Sequence, residues 1–163
     1  MIYSSNLCHE IAQNMSESQL LEEEIIDENG YPEVVQRVKA GDMVTCNLNS
    51  INLSKVKKEE FSECIPLQIR MLDNVISLNK LPVKEAKVTS DKYRAIGLGT
   101  SGYHHFLANN KIRWESDEHI KVADEIYEEI AYTAIKSSME LAKEKGSYPA
   151  FKGSEWETGK YFE

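Results

Sequence analysis

Tyr93-Arg94-Ala95-Ile96-Gly97-Leu98-Gly99-Thr100-Ser101-Gly102 is the stretch on which the fold turns. Its first half, Tyr93 to Leu98, reads as a strand. Its second half, Gly97 to Gly102, is a literal G-x-G-x-x-G, and Ser101 to Asn109 reads as a short helix stopped at Asn109-Asn110. Taken alone, that pattern proposes a dinucleotide-binding fold. A dinucleotide-binding fold needs more: a second parallel strand within about 30 residues. Here a charged helix follows instead. The glycines are therefore expected to allow close strand-to-helix packing, and a dinucleotide-binding protein resting on Gly97–Gly102 stays as a lesser alternative.

Downstream lies the clearest helix, Asp117 to Lys145. Ser116 is a good N-cap, Asp117 and Glu118 sit at the positive end, and Lys143 and Lys145 at the negative end. Ile120, Ala123, Tyr127, Ile130, Ala134, Leu141 and Ala142 mark an apolar face, and Gly146 supplies the stop. Beyond it, Tyr148 to Glu163 is aromatic-rich and turn-rich. Upstream, Phe61, Ile65, Ile69, Leu72, Val75 and Ile76 recur at helical spacing between Glu59 and Asn79, and Pro66 predicts a kink or two consecutive helices. Met43 to Leu48, after Gly41-Asp42, reads as a short strand. Residues 17–33 are strongly acidic and read as a solvated loop, with turns at Asn29-Gly30 and Tyr31-Pro32. Residues 1–16 read as an extended segment or loop.

Composition narrows the function. The 163 residues carry 27 acidic and 19 basic side chains, a net charge of −8, which argues against a nucleic-acid backbone as partner. A phosphorylated small molecule remains possible, because a helix N-terminus can hold phosphate without basic charge. No apolar run is long enough for a membrane helix, and Met1 to Ser5 lack the features of a signal peptide. Three cysteines without a C-x-x-C pair predict free thiols in the reducing cytoplasm. Of the four histidines, His104 and His105 are adjacent and splay apart on a helix, and His119 is expected to face solvent. With no local chelating pair, no metal site is expected.

The chemistry concentrates in Asn6-Leu7-Cys8-His9-Glu10. In an extended backbone, Asn6, Cys8 and Glu10 point one way while Leu7 and His9 point the other. An amide, a thiol and a carboxylate in one row suit chemistry on a polyol. A cysteine packed in a core, with Asn6 and Glu10 at the surface, is the competing reading. A Cys8–His9 nucleophile pair fares worse, since the two face apart.

Asn-Leu-Cys-x-Glu resembles the active-site signature of the catalytic large (alpha) subunits of class I ribonucleotide reductases, and Leu7 is the residue that favours class I. Cys46-Asn47-Leu48-Asn49-Ser50-Ile51-Asn52-Leu53 is similar to the second active-site cysteine of that family and the Leu-x-Ser-x-Asn-Leu pattern that follows it. The likeness continues through Leu72-Asp73, Pro82-Val83-x-x-Ala86-Lys87, Arg94 to Gly99, Ile112-Arg113-Trp114, Lys136 to Ala142 and Gly146-x-Tyr148-Pro149. The acidic stretch 17–33 is the least family-like part. Cys64 matches no family motif and is expected in the core.

The resemblance implies a bacterial- or phage-type chain forming an internal or C-terminal-half part of such a subunit. Its fold would be part of a ten-stranded α/β barrel, helix-rich here and incomplete as a domain. Residues 1–53 would carry a finger loop and the strand of the redox cysteine, and residues 54–163 the helices and a barrel strand, with strands at 43–48 and 94–99. It further implies an oxidoreductase of deoxyribonucleotide biosynthesis. Cys8 would become a thiyl radical that takes the 3′ hydrogen of a ribonucleoside diphosphate, Glu10 would take the 3′-hydroxyl proton, Asn6 would hydrogen-bond the substrate hydroxyls, and Cys46 would be half of the reducing dithiol. No cofactor is expected on this chain. A metal-and-tyrosyl site would lie in a separate small subunit, and nucleotide effectors would bind elsewhere in the large subunit. Further partners would be the rest of the large subunit and a thioredoxin- or glutaredoxin-type reductant. The isolated chain is expected to be inactive. A non-catalytic subunit-interaction module is the other alternative.

Overall fold

The computed structural model describes all residues but 1, 3, 4, 7, 14, 29 and 30, and in residues 26–28 and 31–33 it describes the backbone alone. Leu7 and the Asn29-Gly30 turn thus lie outside the described residues. The element order is β1 (Gln19–Glu28), β2 (Tyr31–Lys39), β3 (Leu48–Asn52), α1 (Phe61–Leu78), α2 (Lys84–Tyr93), β4 (Gly97–Ser101), α3 (Tyr103–Asn109), α4 (Asp117–Lys145) and the short α5 (Glu155–Thr158), with single 3₁₀ turns at Lys58–Glu60, Pro149–Phe151 and Lys160–Phe162.

Strands β3 and β4 pair in parallel, Leu48 opposite Gly97 through Asn52 opposite Ser101. Helices α1 and α2 form the crossover between them, the connection that parallel strands require. The other helices follow β4. No strand occurs in residues 111–163, so the second parallel strand that a dinucleotide fold demands after Asn110 is missing, and that alternative falls. Among the described residues the β3–β4 sheet has two strands and is not closed, as expected for a part of an α/β barrel.

Helix α4 has the predicted bounds, but its buried face is shifted: Ile120 and Tyr127 are exposed, and Ile126 is buried beside Ile130. The Ser116 hydroxyl accepts from the His119 N–H at 3.2 Å, and the Gly146 N–H closes on the Ala142 carbonyl at 2.8 Å. Helix α1 runs as one helix through Pro66, so two consecutive helices are not found. Pro66 is the sixth residue of α1; only one turn precedes it, so the missing N–H costs little continuity. The α1 side chains Phe61, Ile65 and Ile69 meet Ile126 and Ile130 of α4 and Ile51 and Leu53 at the end of β3 to form the core, against which Cys64 is half-buried. Ile65 is fully buried and Phe61 nearly so.

Four expectations need correction. Residues 43–47 are not a strand, because their polar groups are taken by α2: the Met43 N–H donates to Thr89 Oγ1 at 2.7 Å, and the Thr45 and Ser90 hydroxyls meet at 3.0 Å. The strand begins at Leu48. Tyr93 is the last residue of α2, and Arg94 caps it in the left-handed region (φ 48°), so the second strand begins at Gly97. The acidic stretch is no loop: with the residues after it, it forms the antiparallel β1–β2 hairpin, Gln19 opposite Lys39 through Glu28 opposite Tyr31, and Tyr31-Pro32 lies inside β2. His119 does not simply face solvent but stacks on Trp114, ring centroids 4.8 Å apart.

The hairpin matters because its base is clamped. The Asp42 N–H donates to the Ser16 carbonyl at 2.8 Å, and the Ser16 N–H and hydroxyl donate to the Asp42 carboxylate at 2.8 and 2.9 Å. Gly41 is buried between them; a Cβ there would stand 2.5 Å from the Ser16 carbonyl oxygen, so only glycine lets the chain ends meet. Lys92 and Tyr93, at the end of α2, also donate to Asp42, each at 3.1 Å. The chain therefore leaves at residue 16 and returns at residue 42 to nearly the same place.

Candidate active site

The clamp sets the distance between the two motifs. The first motif lies just before Ser16 and the second just after Asp42, so closing the hairpin carries Cys46 back to Cys8. The Sγ atoms of Cys8 and Cys46 and a carboxylate oxygen of Glu10 all lie within 4.8 Å of one another, and all three residues are exposed. Three of the four sequence-predicted site residues thus present their reactive atoms together.

Asn6 belongs to the same cluster but not in the way an extended chain predicts. It is 3% exposed and turned inward. Its Nδ2 donates to Cys46 Sγ at 2.9 Å, and its Oδ1 accepts from the Ile11 N–H at 2.8 Å. Cys8 and His9 are in a turn rather than a strand: the His9 N–H donates to the Asn6 carbonyl at 3.1 Å, and His9 adopts φ 69°. The period-2 alternation is lost there. The turn instead leaves Cys8 and Glu10 exposed while the buried Asn6 amide pins the returning segment at Cys46. A residue 40 positions away in sequence is the partner, which no local pattern reveals.

His9 takes no part in activating the thiol. Its Nδ1 lies 2.7 Å from the Ser5 hydroxyl. The core-cysteine reading fails as well, since Cys8 is exposed. The Glu10 carboxylate, then Cys46 beside it, push the Cys8 thiol above its ordinary pKa. The shift lowers the share of thiolate, the form in which a cysteine attacks as a nucleophile.

The floor of the site is fixed by the next elements. Asn47 Nδ2 donates to the Leu72 carbonyl of α1 at 2.8 Å, and the Gly97 N–H donates to the Asn47 carbonyl at 3.0 Å. Leu48 passes so close to Gly97 that a Cβ there would stand 2.5 Å from Leu48 Cδ2. This close approach is the use of the first glycine of the G-x-G-x-x-G. The third, Gly102 (φ 69°), caps α3 beside the Asn52 side chain.

Below α1, Asp73 gathers Arg94 Nε at 2.7 Å and Lys145 Nζ at 2.8 Å, tying the ends of α1, α2 and α4 together. Burial alone would raise the Asp73 carboxyl, but Lys145 and Arg94 hold it below the ordinary carboxylate range. Sequence reasoning passed over both Asp42 and Asp73 as functional supports. Asp73 stood in the quoted Leu72-Asp73 likeness, and Asp42 carried no signal beyond its place after Gly41.

Comparison with known proteins identifies the family. The family model described as "Ribonucleotide reductase, barrel domain" matches residues 1–163. A protein of Treponema pallidum named ribonucleoside-diphosphate reductase subunit alpha is 52% identical over 165 residues, covering 99% of this chain and 20% of the relative. Proteins of the same name from Helicobacter pylori and Chlamydia trachomatis are 48% identical over 74% of the chain and 38% identical over 98% of it, covering 16% and 14% of those relatives. The chain therefore spans about one fifth or less of the length of these relatives. With the whole sequence matched and Cys8, Glu10 and Cys46 in one cluster, the chain belongs to the ribonucleotide reductase barrel-domain family.

Proposed function

We propose that this chain supplies the reacting thiols and the carboxylate for thiyl-radical reduction of ribonucleoside diphosphates to deoxyribonucleoside diphosphates, within a class I large subunit completed by further polypeptide. The observation that carries the reading is the convergence of Cys8, Glu10 and Cys46 within 4.8 Å.

Each residue then has a role that its position supports. Cys8, at the tip of the turn, loses its thiol hydrogen atom to become the radical and takes the 3′ hydrogen of the ribose. Glu10 receives the proton of the 3′ hydroxyl, and the 2′ hydroxyl leaves as water. Cys46 contributes one of the two thiols that close to a disulfide, so that two electrons and two protons pass to substrate for each water released. Its partner thiol lies on the completing polypeptide. Asn6 holds Cys46 in place; contact between Asn6 and a substrate hydroxyl requires the amide to exchange its sulfur acceptor for the sugar. The metal–tyrosyl group of a separate small subunit supplies the oxidising equivalent that starts the radical. A thioredoxin- or glutaredoxin-type dithiol restores Cys46. Nucleotide effectors bind on the completing polypeptide, and no resident metal is needed on this chain. The three free thiols support a reducing, cytoplasmic setting, and among the described residues no helix is long and apolar enough to cross a membrane.

Complementation tests the reading. The chain mixed with the missing flanking polypeptides, a radical-generating subunit and a dithiol reductant should form deoxynucleotide, while the chain alone should form none. Glu10→Gln should lower turnover by about 10²–10⁴, the usual contribution of a positioned base. Cys8→Ser should abolish it. Turnover that survives Cys8→Ser in the complemented system would overturn the proposal.

A further inference from the structure

The sequence carries no local metal-binding pair, yet the fold assembles one kind of site from two distant segments. Two thiols and a carboxylate within 4.8 Å of one another are the donor set of a borderline-soft divalent cation. A tetrahedral zinc ion with Zn–S of about 2.3 Å and Zn–O of about 2.0–2.2 Å places its ligands roughly 3.5–3.8 Å apart. The cluster needs to contract by at most about 1.0–1.3 Å along each edge, which exposed side chains can do by small rotations about χ1.

Three further features favour capture of a cation. Among the described residues no Lys or Arg forms an ion pair with Glu10, so its carboxylate is free to coordinate. The Asn6 Nδ2–H already donates to Cys46 Sγ, the kind of outer hydrogen bond that orients a ligating group. All three residues are exposed, which leaves a fourth position open to water and gives the ion a route in.

We propose that Cys8, Glu10 and Cys46 form an open, three-ligand site for a thiophilic divalent cation such as zinc, and that the bound ion ties up both thiols. The binding itself rests on the geometry of the cluster. Its consequence, a reversible block of turnover, rests on the proposed function. Cation binding and turnover of the thiols are mutually exclusive, because the sulfur lone pairs that hold the metal belong to the atoms that must react. On coordination each thiol loses its proton to buffer, with no change of oxidation state.

The test is an anaerobic titration of the reduced chain with Co²⁺ as a coloured substitute, followed by displacement with Zn²⁺, with no activity readout involved. One equivalent of Co²⁺ should give a sulfur-to-cobalt charge-transfer band and the visible bands of tetrahedral cobalt, and one equivalent of Zn²⁺ should erase both. Cys8→Ser and Cys46→Ser should each halve the charge-transfer intensity, and the double variant should lose it. Cys64→Ser should leave it intact. Unsubstituted chain gives a second measurement that needs no variant to fold: zinc should protect Cys8 and Cys46, but not Cys64, from alkylation, read by mass spectrometry of the peptides. Cobalt spectra without a sulfur band, or alkylation of Cys8 and Cys46 at the same rate with and without zinc, would overturn the proposal. Failure of complementation with metal binding intact would count against the proposed function alone.

Discussion

The helical core and the Asn6–Cys46 corner are held by different forces. In the core, Phe61, Ile65 and Ile69 of α1 press on Ile126 and Ile130 of α4, and apolar burial does most of the holding. At the corner almost everything is a directed polar contact: Asn6 to Cys46 and to Ile11, Ser16 to Asp42, Met43 to Thr89, Asn47 to Leu72. Packing tolerates small shifts, whereas a hydrogen bond of 2.8 Å fixes position. The molecule thus has a region built for stability and a region built for placement, and substitutions should tell the two apart.

The largest effect on stability belongs to the core. Phe61→Ala should cost about 3–5 kcal/mol in urea unfolding, the usual result of emptying a buried aromatic site. Such a loss takes a large fraction of the stability of a domain this size. Asn6→Ala comes next, at about 1–3 kcal/mol, since it strands the Ile11 N–H in a buried place. The two differ in kind as well. Asn6→Ala should also change the alkylation rate of Cys46, which Phe61→Ala should leave alone at denaturant concentrations where the chain is still folded.

Acid should separate the regions again. The carboxyls of Asp42 and Asp73 are both held below the ordinary range. For Asp42, burial pushes upward, but the Ser16 N–H, Lys92, the Ser16 hydroxyl and Tyr93 together outweigh it. A depressed folded-state pKa means the stabilisation is complete above the unfolded value, about 3.9, and is lost as pH falls through the folded value. Stability from urea unfolding should therefore drop below about pH 4. Asp42→Asn should flatten that drop and loosen the base of the hairpin, read as faster amide exchange at Ser16 and Asp42. Asp73→Asn should flatten it and loosen the ends of α1 and α4 instead. A smaller effect, about 1 kcal/mol, is expected for Ser116→Ala, which removes the N-cap of α4. Cys8→Ser should leave the unfolding midpoint in urea nearly unchanged, because the thiol is exposed.

The same contrast decides what could be read in advance. The ends of helix α4 were legible to the residue because their signals are local: a serine cap, acids then bases, and a glycine stop. Helix α1 was legible through its apolar spacing, and only the second helix suggested by Pro66 is absent, because that residue falls in the early turns of a continuous helix. Helix α2 escaped notice because it buries only Ala86 and Thr89. Strands β3 and β4 were displaced by several residues because Thr89 and Ser90 on α2, and the Arg94 cap, intervene where apolar character alone suggested pairing. The hairpin hid behind its charge: Glu22, Glu23 and Glu24 dominate the reading, while Ile25 with Val34 and Leu20 with Val38 form the cross-strand pairs.

For the site, the identities of Cys8, Glu10, Asn6 and Cys46 came from resemblance and their orientation from an assumed extended chain. The cluster is real, but a turn at His9 and a hairpin clamp build it. Sequence shows neither contact, since both join residues far apart along the chain.

Everything functional depends on two sulfur atoms standing side by side. A short bifunctional thiol reagent such as dibromobimane, applied to the folded, reduced chain and followed by peptide mass spectrometry, measures that directly. A single bridge joining Cys8 to Cys46, with Cys64 left unbridged, is the predicted result. Bridges that involve Cys64, or three cysteines each labelled alone, would contradict it.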